Sequence, residues 1–342
     1  TYKIQYYERV LHYNTKQILS DAYTVYCGQL FKNELIIAAL SSMVIVFVAG
    51  LLFYLYIGIL GKKQSEDEIT GGRTLSDNPK KVARMMRRQK VASDIIVDDL
   101  PIIKDSEIQN FAMHGTVGSG KSTLMRKFLD QCRQRGDMVI IYDKGCTFVE
   151  EYYQEGRDII LNPLDQRCAN WDMWEECQTL PDLESAATTL IPMGSSEDPF
   201  WQGSARTIFA EGAHRLRTEK GRSYNLFLRT LLAITLDKLR EFLAGTPAAN
   251  LVDGKIEKTA ISIRSVLTNY VKAMRYLQGI ERKGKPFTIR QWMQGVRDGG
   301  ENGWLFITSN QKHHESLKPL ISMWLSIAAN SLLSMGENRY RR

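Results

Sequence analysis

Cysteine is scarce in this chain, and its spacing forms no pattern. Cys27, Cys132, Cys146, Cys168 and Cys177 make no C-x-x-C pair, their number is odd, and no histidine lies at metal-ligand spacing from them. That excludes a disulfide framework and a zinc site, and leaves four of the five as small buried thiols in a reducing compartment. No H-E-x-x-H stretch occurs. His313-His314-Glu315 has no metal spacing and reads as a loop, which argues against a membrane-bound AAA protease. No Ser/His/Asp or Cys/His arrangement stands out. Acidic residues run short of basic ones, 38 against 45, for a formal charge of +7. That mild excess suits an anionic partner, nucleic acid or a lipid surface. A chain of 342 residues has room for two or three domains.

Charge is missing altogether from Leu35 to Leu60, a run of 26 residues. As a helix it would measure about 39 Å against a hydrocarbon core of about 30 Å, so residues 34–61 are expected to cross a membrane. Tyr54 and Tyr56 sit toward one end, as interfacial aromatics do. Lys62, Lys63, Arg73, Lys80, Lys81, Arg84, Arg87, Arg88 and Lys90 follow the span, whereas only Lys3, Arg9, Lys16 and Lys32 precede it. The positive-inside rule then places the C-terminal side in the cytoplasm. Residues 1–33 become a small extracytoplasmic (periplasmic) segment, alternating apolar and polar at Tyr2-Lys3-Ile4-Gln5-Tyr6, and a further span is expected ahead of it. Residues 62–92 form a basic linker. Within it Asn78-Pro79 opens a helix to about Gln89, with Asp77 or Asn78 as cap. It reads as a face for anionic headgroups or as a solvated linker helix.

Glycine is concentrated where it carries chemistry. Gly115-Thr116-Val117-Gly118-Ser119-Gly120-Lys121-Ser122 fits G-x-x-x-x-G-K-[ST] at every fixed position. Residues 108–114 before it predict a strand, and 123–135 after it a helix. In that setting backbone N–H groups of the loop face polyphosphate oxygens, and the helix N-terminus adds about half a positive charge. Lys121 would reach the β- and γ-phosphates of ATP, and Ser122, followed by Thr123, would ligate Mg²⁺. Met138 to Tyr142 predicts a buried strand ending at Asp143, a second candidate catalytic residue, and Asp158 to Leu161 another strand.

From about 165 to 292 apolar residues recur at helical spacing and strand signals vanish. The fold class expected is α/β: a RecA-like P-loop domain over 93–164 and 293–342, with an all-helical domain inserted at 165–292. Residues 303–308 predict the returning strand, and 316–335 a helix capped by Gly336. An acidic strand end of Walker B type is missing, and is expected beyond Arg342. Asp198-Pro199 opens a helix in which Trp201 and Phe209 read as packing, and Arg206 as packing or as a reach toward phosphate or a neighbouring subunit. Lys255, Lys258, Arg264, Lys272, Arg275, Arg282 and Lys283, interleaved with Tyr270 and Tyr276, read as a DNA-tracking surface or as a solvated face.

The succession GGRTLSDN, DLPIIKDSEIQNFAMHGTVGSGKS, GDMVIIYDKG, ILNPLDQRCANWDMWEEC, IPMGSSEDPFWQGSARTIFAEG and EKTAISIRSVLTNYVKAMRYL closely resembles the type IV coupling proteins of bacterial conjugation over nearly the whole chain. The resemblance implies a hexameric, inner-membrane, RecA-like ATPase. Such a protein receives the relaxase–DNA complex, hands the strand to the type IV secretion channel, and uses ATP and Mg²⁺. Its roles carry onto Gly115, Gly118, Gly120, Lys121 and Ser122 by motif, and onto Asp143 by position. Thr147 stands where relatives often have an acid. Two other readings are a membrane-tethered DNA translocase of the FtsK type, and a docking receptor that binds nucleotide without turning it over.

Overall fold

The computed structural model describes residues 1–65, 76–106, 109–194, 198–299 and 303–336. Arg73 of the basic flank and residue 108 of the expected strand lie outside them. The chain divides into two units, Thr1–Val82 and Ala83–Arg342.

The first unit begins with a hairpin. Strands β1 (Tyr2–Tyr6) and β2 (Arg9–Tyr13) pair antiparallel, Tyr2 opposite Tyr13 and Tyr6 opposite Arg9. The period-2 alternation puts Tyr2, Ile4 and Tyr6 on one face with Leu11 and Tyr13. Helix α1 (Thr15–Ser20) is capped by Asn14, whose N–H donates to Gln17 Oε1 at 3.0 Å. Helix α2 (Ala22–Ser65) runs 44 residues, about 66 Å at helical rise. It outruns the uncharged stretch at both ends, because Lys32, Glu34 and Lys62 are good helix formers and no proline interrupts them. Apolar side chains such as Phe47 and Ile59 are exposed all round it, and by length and composition the helix is able to cross a membrane. The division between units falls within α3 (Pro79–Arg88), where Asn78 Oδ1 accepts from the Lys81 N–H at 3.1 Å as the expected cap.

After the end of α3 the second unit continues with an antiparallel pair, β3 (Ala92–Val97) and β4 (Leu100–Ile103). Helix α4 (Lys121–Arg135) follows the glycine-rich turn. Next come β5 (Val139–Asp143), α5 (Thr147–Tyr152) and β6 (Ile159–Leu161). A long helical stretch succeeds them: α6 (Met173–Glu176), α7 (Leu180–Leu190), α8 (Pro199–Leu216), α9 (Tyr224–Leu228), α10 (Leu236–Phe242), α11 (Ala248–Leu251), α12 (Glu257–Val271) and α13 (Ile289–Arg297). Strand β7 (Trp304–Thr308) and helix α14 (His314–Ser334) close the described chain.

The sheet order is β5-β7-β6, all parallel, so the strand latest in sequence lies in the middle. Every residue of β7 is buried, as expected for a strand covered on both faces. Its side chains alternate between two cores. Leu305 and Ile307 join the helical stretch and α14, through residues such as Phe209, Leu267 and Trp324. Trp304 and Phe306 pack with Leu129 of α4 and Val149 of α5 on the other face. Gly303 permits this threading, since a Cβ there would stand 2.0 Å from the Arg157 carbonyl oxygen.

Three expectations are corrected. Residues 109–114 form no strand: no described strand offers them a ladder, and Phe111 stays 55% exposed. Gly336 is not the cap of α14. That helix ends at Ser334, and its cap, Met335, has an extended backbone that needs no glycine. His314 opens α14 instead of lying in a loop, because its ring is buried and Nδ1 meets Ser309 Oγ at 2.9 Å.

Candidate nucleotide site

The glycine-rich turn is built by its sequence from both sides. Gly118 and Gly120 take left-handed φ of 83° and 86°, and a Cβ added at either would meet nothing within 4 Å. Gly115 sits close under Ser119, and a Cβ there would come within 2.4 Å of Ser119 Oγ, so the serine side chain would have to turn away. The Ser119 N–H closes the turn onto the Thr116 carbonyl at 3.3 Å. Val117 at the tip is fully exposed. Lys121 reaches back over the loop, its Nζ donating to the carbonyls of Gly115 and Thr116, both at 2.6 Å, and to Ser119 Oγ at 3.3 Å. Helix α4 starts on Gly120, which has no side chain to cap it, so no side chain serves the first-turn amides. Ser122 and Thr123 are exposed in that turn. Left-handed glycines over open space, uncapped amides and an ammonium held above them fit a polyphosphate.

Side-chain ties to β3, α5 and the sheet hold α4, and with it the loop. Gln131 bonds the Ile96 backbone like a strand neighbour, accepting from its N–H at 2.7 Å and donating to its carbonyl at 2.8 Å. Arg126 Nε meets Glu151 of α5 at 2.6 Å. Arg133 grips Asp158 with both guanidinium arms, at 2.9 and 2.7 Å, and stacks 3.6 Å from the Trp304 ring. The Asp158 carboxylate is shut from solvent and also accepts the Trp304 N–H at 2.8 Å.

Asp143 ends β5 and is 4% exposed. One of its oxygens accepts from the N–H groups of Phe148 at 2.7 Å and Val149 at 3.0 Å, and the other from Gly145 at 3.3 Å. It works as the side-chain cap of α5, a role the formal cap Cys146 leaves open. Arg206 is engaged within the helical stretch, its Nε donating to the Ile191 carbonyl at 2.8 Å. Phe209 is buried and Trp201 half-buried. Burial pushes the Cys168 and Cys177 thiols up to about 12, as suits inert core cysteines.

Sequence reasoning missed the rim at the C-terminal ends of the three parallel strands. Thr308 accepts from Asn162 at 3.1 Å, and Ser309 holds His314. A hollow of about 600 Å³ opens there, lined by Cys146, Asn162, Asp165, Arg167, Asn310 and His313 among others. No residue of the phosphate loop lines it. Its charged groups already serve each other: the Arg167 guanidinium holds the Asp165 carboxyl below its usual range. Polar residues at strand ends were the signal available, since crevices of parallel sheets open at that edge.

Loop, helix and parallel sheet together have the form of a RecA-like P-loop protein. Residues 94–342 match the family described as type IV secretion-system coupling protein DNA-binding domain. The coupling protein TraD of Escherichia coli (strain K12) is 58% identical over 341 residues, which is 100% of this chain and 48% of TraD. The plasmid coupling protein TrwB in complex with the non-hydrolysable ATP analogue ADPNP superposes with a TM-score of 0.67 at 29% identity, covering 81% of this chain and 66% of TrwB. TrwB in complex with ADP and Mg²⁺ gives 0.66 at 30% identity, covering 77% and 61%. The chain belongs to the type IV secretion-system coupling proteins, and spans about half the length of the curated relative it matches.

Proposed function

We propose that this chain is the membrane-anchored nucleotide-binding part of a conjugative coupling protein in the bacterial inner membrane. It links a relaxase–DNA complex to a type IV secretion channel and drives DNA transfer with ATP. The phosphate-binding loop carries the reading. Its amides and the Lys121 ammonium would hold the triphosphate, and Ser122 the Mg²⁺, as the TrwB complexes support for that relative. Bound ATP and Mg²⁺ would supply phosphoryl-transfer energy, with the metal neutralising charge on the β- and γ-oxygens. Lys121 would exchange the loop carbonyls for phosphate oxygens, stronger acceptors for an ammonium. Asp143, its oxygens held by three amides, would position the loop between β5 and α5. Residues 165–292 would act as the helical insert, α2 as the anchor and residues 1–33 as the periplasmic segment. The working form would be a hexamer, because P-loop translocases of this fold complete the site with a neighbour's arginine.

ATP turnover by the membrane-embedded protein, with and without single- and double-stranded DNA, tests this beside Lys121→Ala. DNA-stimulated turnover lost in the variant is the expected result, a fall of at least about 10²-fold for a group that stabilises transferring phosphoryl charge. Tight ATP binding without turnover under every DNA condition would instead favour a docking receptor that uses nucleotide for assembly.

A further inference from the structure

Helix α3 places Lys80, Lys81, Arg84, Arg87 and Arg88 among ten residues that include no acid. At 100° per residue the five cations fall within one arc of about 120°. The opposite arc holds Val82, Ala83 and Met86, of which Ala83 is 4% exposed and the other two half-buried. Lys81, Arg84, Arg87 and Arg88 are exposed. The helix dipole explains only part of this. Arg87 and Arg88 lie in the last turn, where cations are favoured, but the first turn carries Lys80 and Lys81 and no acidic residue. Cations at a helix N-terminus oppose the dipole. The sequence therefore accepts a less stable helix end in order to keep the basic arc continuous.

We infer that this arc docks on the anionic headgroups of the leaflet from which α2 emerges. The charges are complementary: a cytoplasmic leaflet carries negative potential, and juxtamembrane cations are drawn to it. Covalent geometry limits the backbone between Ser65, the end of α2, and Pro79 to about 50 Å at most, so headgroups are permanently at high local concentration. Nucleic acid is the less suitable occupant. The helix is only about 15 Å long, and it carries no aromatic ring on which a base could stack. The inference rests on α2 being a membrane span and adds a lipid-binding surface to it.

The test uses the full chain in nanodiscs of phosphatidylcholine alone or with phosphatidylglycerol, read by amide hydrogen exchange over 79–88. Docking is expected to slow exchange there by about fivefold or more in the anionic discs, the equivalent of one engaged cation. The slowing should vanish in 1 M salt, where the screening length is about 3 Å. It should also vanish in a variant with Lys81, Arg84, Arg87 and Arg88 all changed to Gln, and persist when the three arginines become Lys. Equal exchange of the wild type in both discs would overturn the proposal, and that arm is independent of how any variant folds. Protection in neutral discs only upon adding a DNA oligonucleotide would overturn it in favour of nucleic acid. Failure of α2 to insert is a separate result, seen as protein that does not purify with discs of either composition.

Discussion

At the scale of single residues, a buried carboxyl group ties distant elements together. Glu176 is 1% exposed, and its carboxylate accepts from Trp171 Nε1 at 3.1 Å, the Ile289 N–H at 2.5 Å and the Arg290 N–H at 3.0 Å. One side chain thereby joins α6 to the start of α13, more than 100 residues later. Burial raises its pKa above the ordinary glutamate value, with those donors opposing. The folded state therefore keeps the proton to higher pH than the unfolded state does. The stability Glu176 contributes is complete below the ordinary glutamate pKa and is lost as pH rises through the raised value. Glu176→Gln leaves an amide NH₂ facing a backbone N–H and should cost about 1–3 kcal/mol in urea unfolding. The wild type's advantage over the variant should shrink from about pH 4.5 upward, where glutamate ordinarily titrates.

At the scale of elements, the molecule is organised around α4 and β7. Arg133→Leu would leave the Asp158 carboxylate buried without its cation, between α4 and the sheet. A loss of about 3 kcal/mol is expected in equilibrium denaturation, since breaking one side of a buried pair uncovers the desolvation cost of the other. The elements legible in the sequence were those with a local signal: the glycine-rich turn, the five-residue run of β5, the Asn78-Pro79 start of α3 and the uncharged stretch of α2. What local pattern could not supply was partnership. Residues 109–114 look like a strand by composition, yet a strand needs a neighbour. His314 looks like loop until Ser309 is seen beside it. Asp143 reads only as a strand-end carboxylate until three amides arrive from the turn that follows and make it the cap of α5 as well. Arg206, open to several readings in the sequence, is taken up by a carbonyl of α7's end.

At the scale of the whole molecule, the two units differ in kind. The first exposes its apolar side chains along α2, whereas the second gathers its own around β7. A chain beginning at Ser76 should therefore fold and stay in the supernatant of a 1 M salt wash after ultracentrifugation, while the full chain sediments with membranes. Recovery of the shortened chain only in the pellet as aggregate would show that the second unit depends on the first.

The central position of β7 also bears on synthesis at the ribosome. Its neighbours β5 and β6 are complete by residue 161, but β7 begins at residue 304. At about 5–20 residues per second, the two nascent strands wait roughly seven to thirty seconds for the strand that lies between them. Until then neither has a native ladder partner among the described strands, while the helices of the intervening stretch can form from local contacts. Of the described strands, the last to be translated is the one that joins the other two, and in that interval the growing chain is open to mispairing and to chaperones.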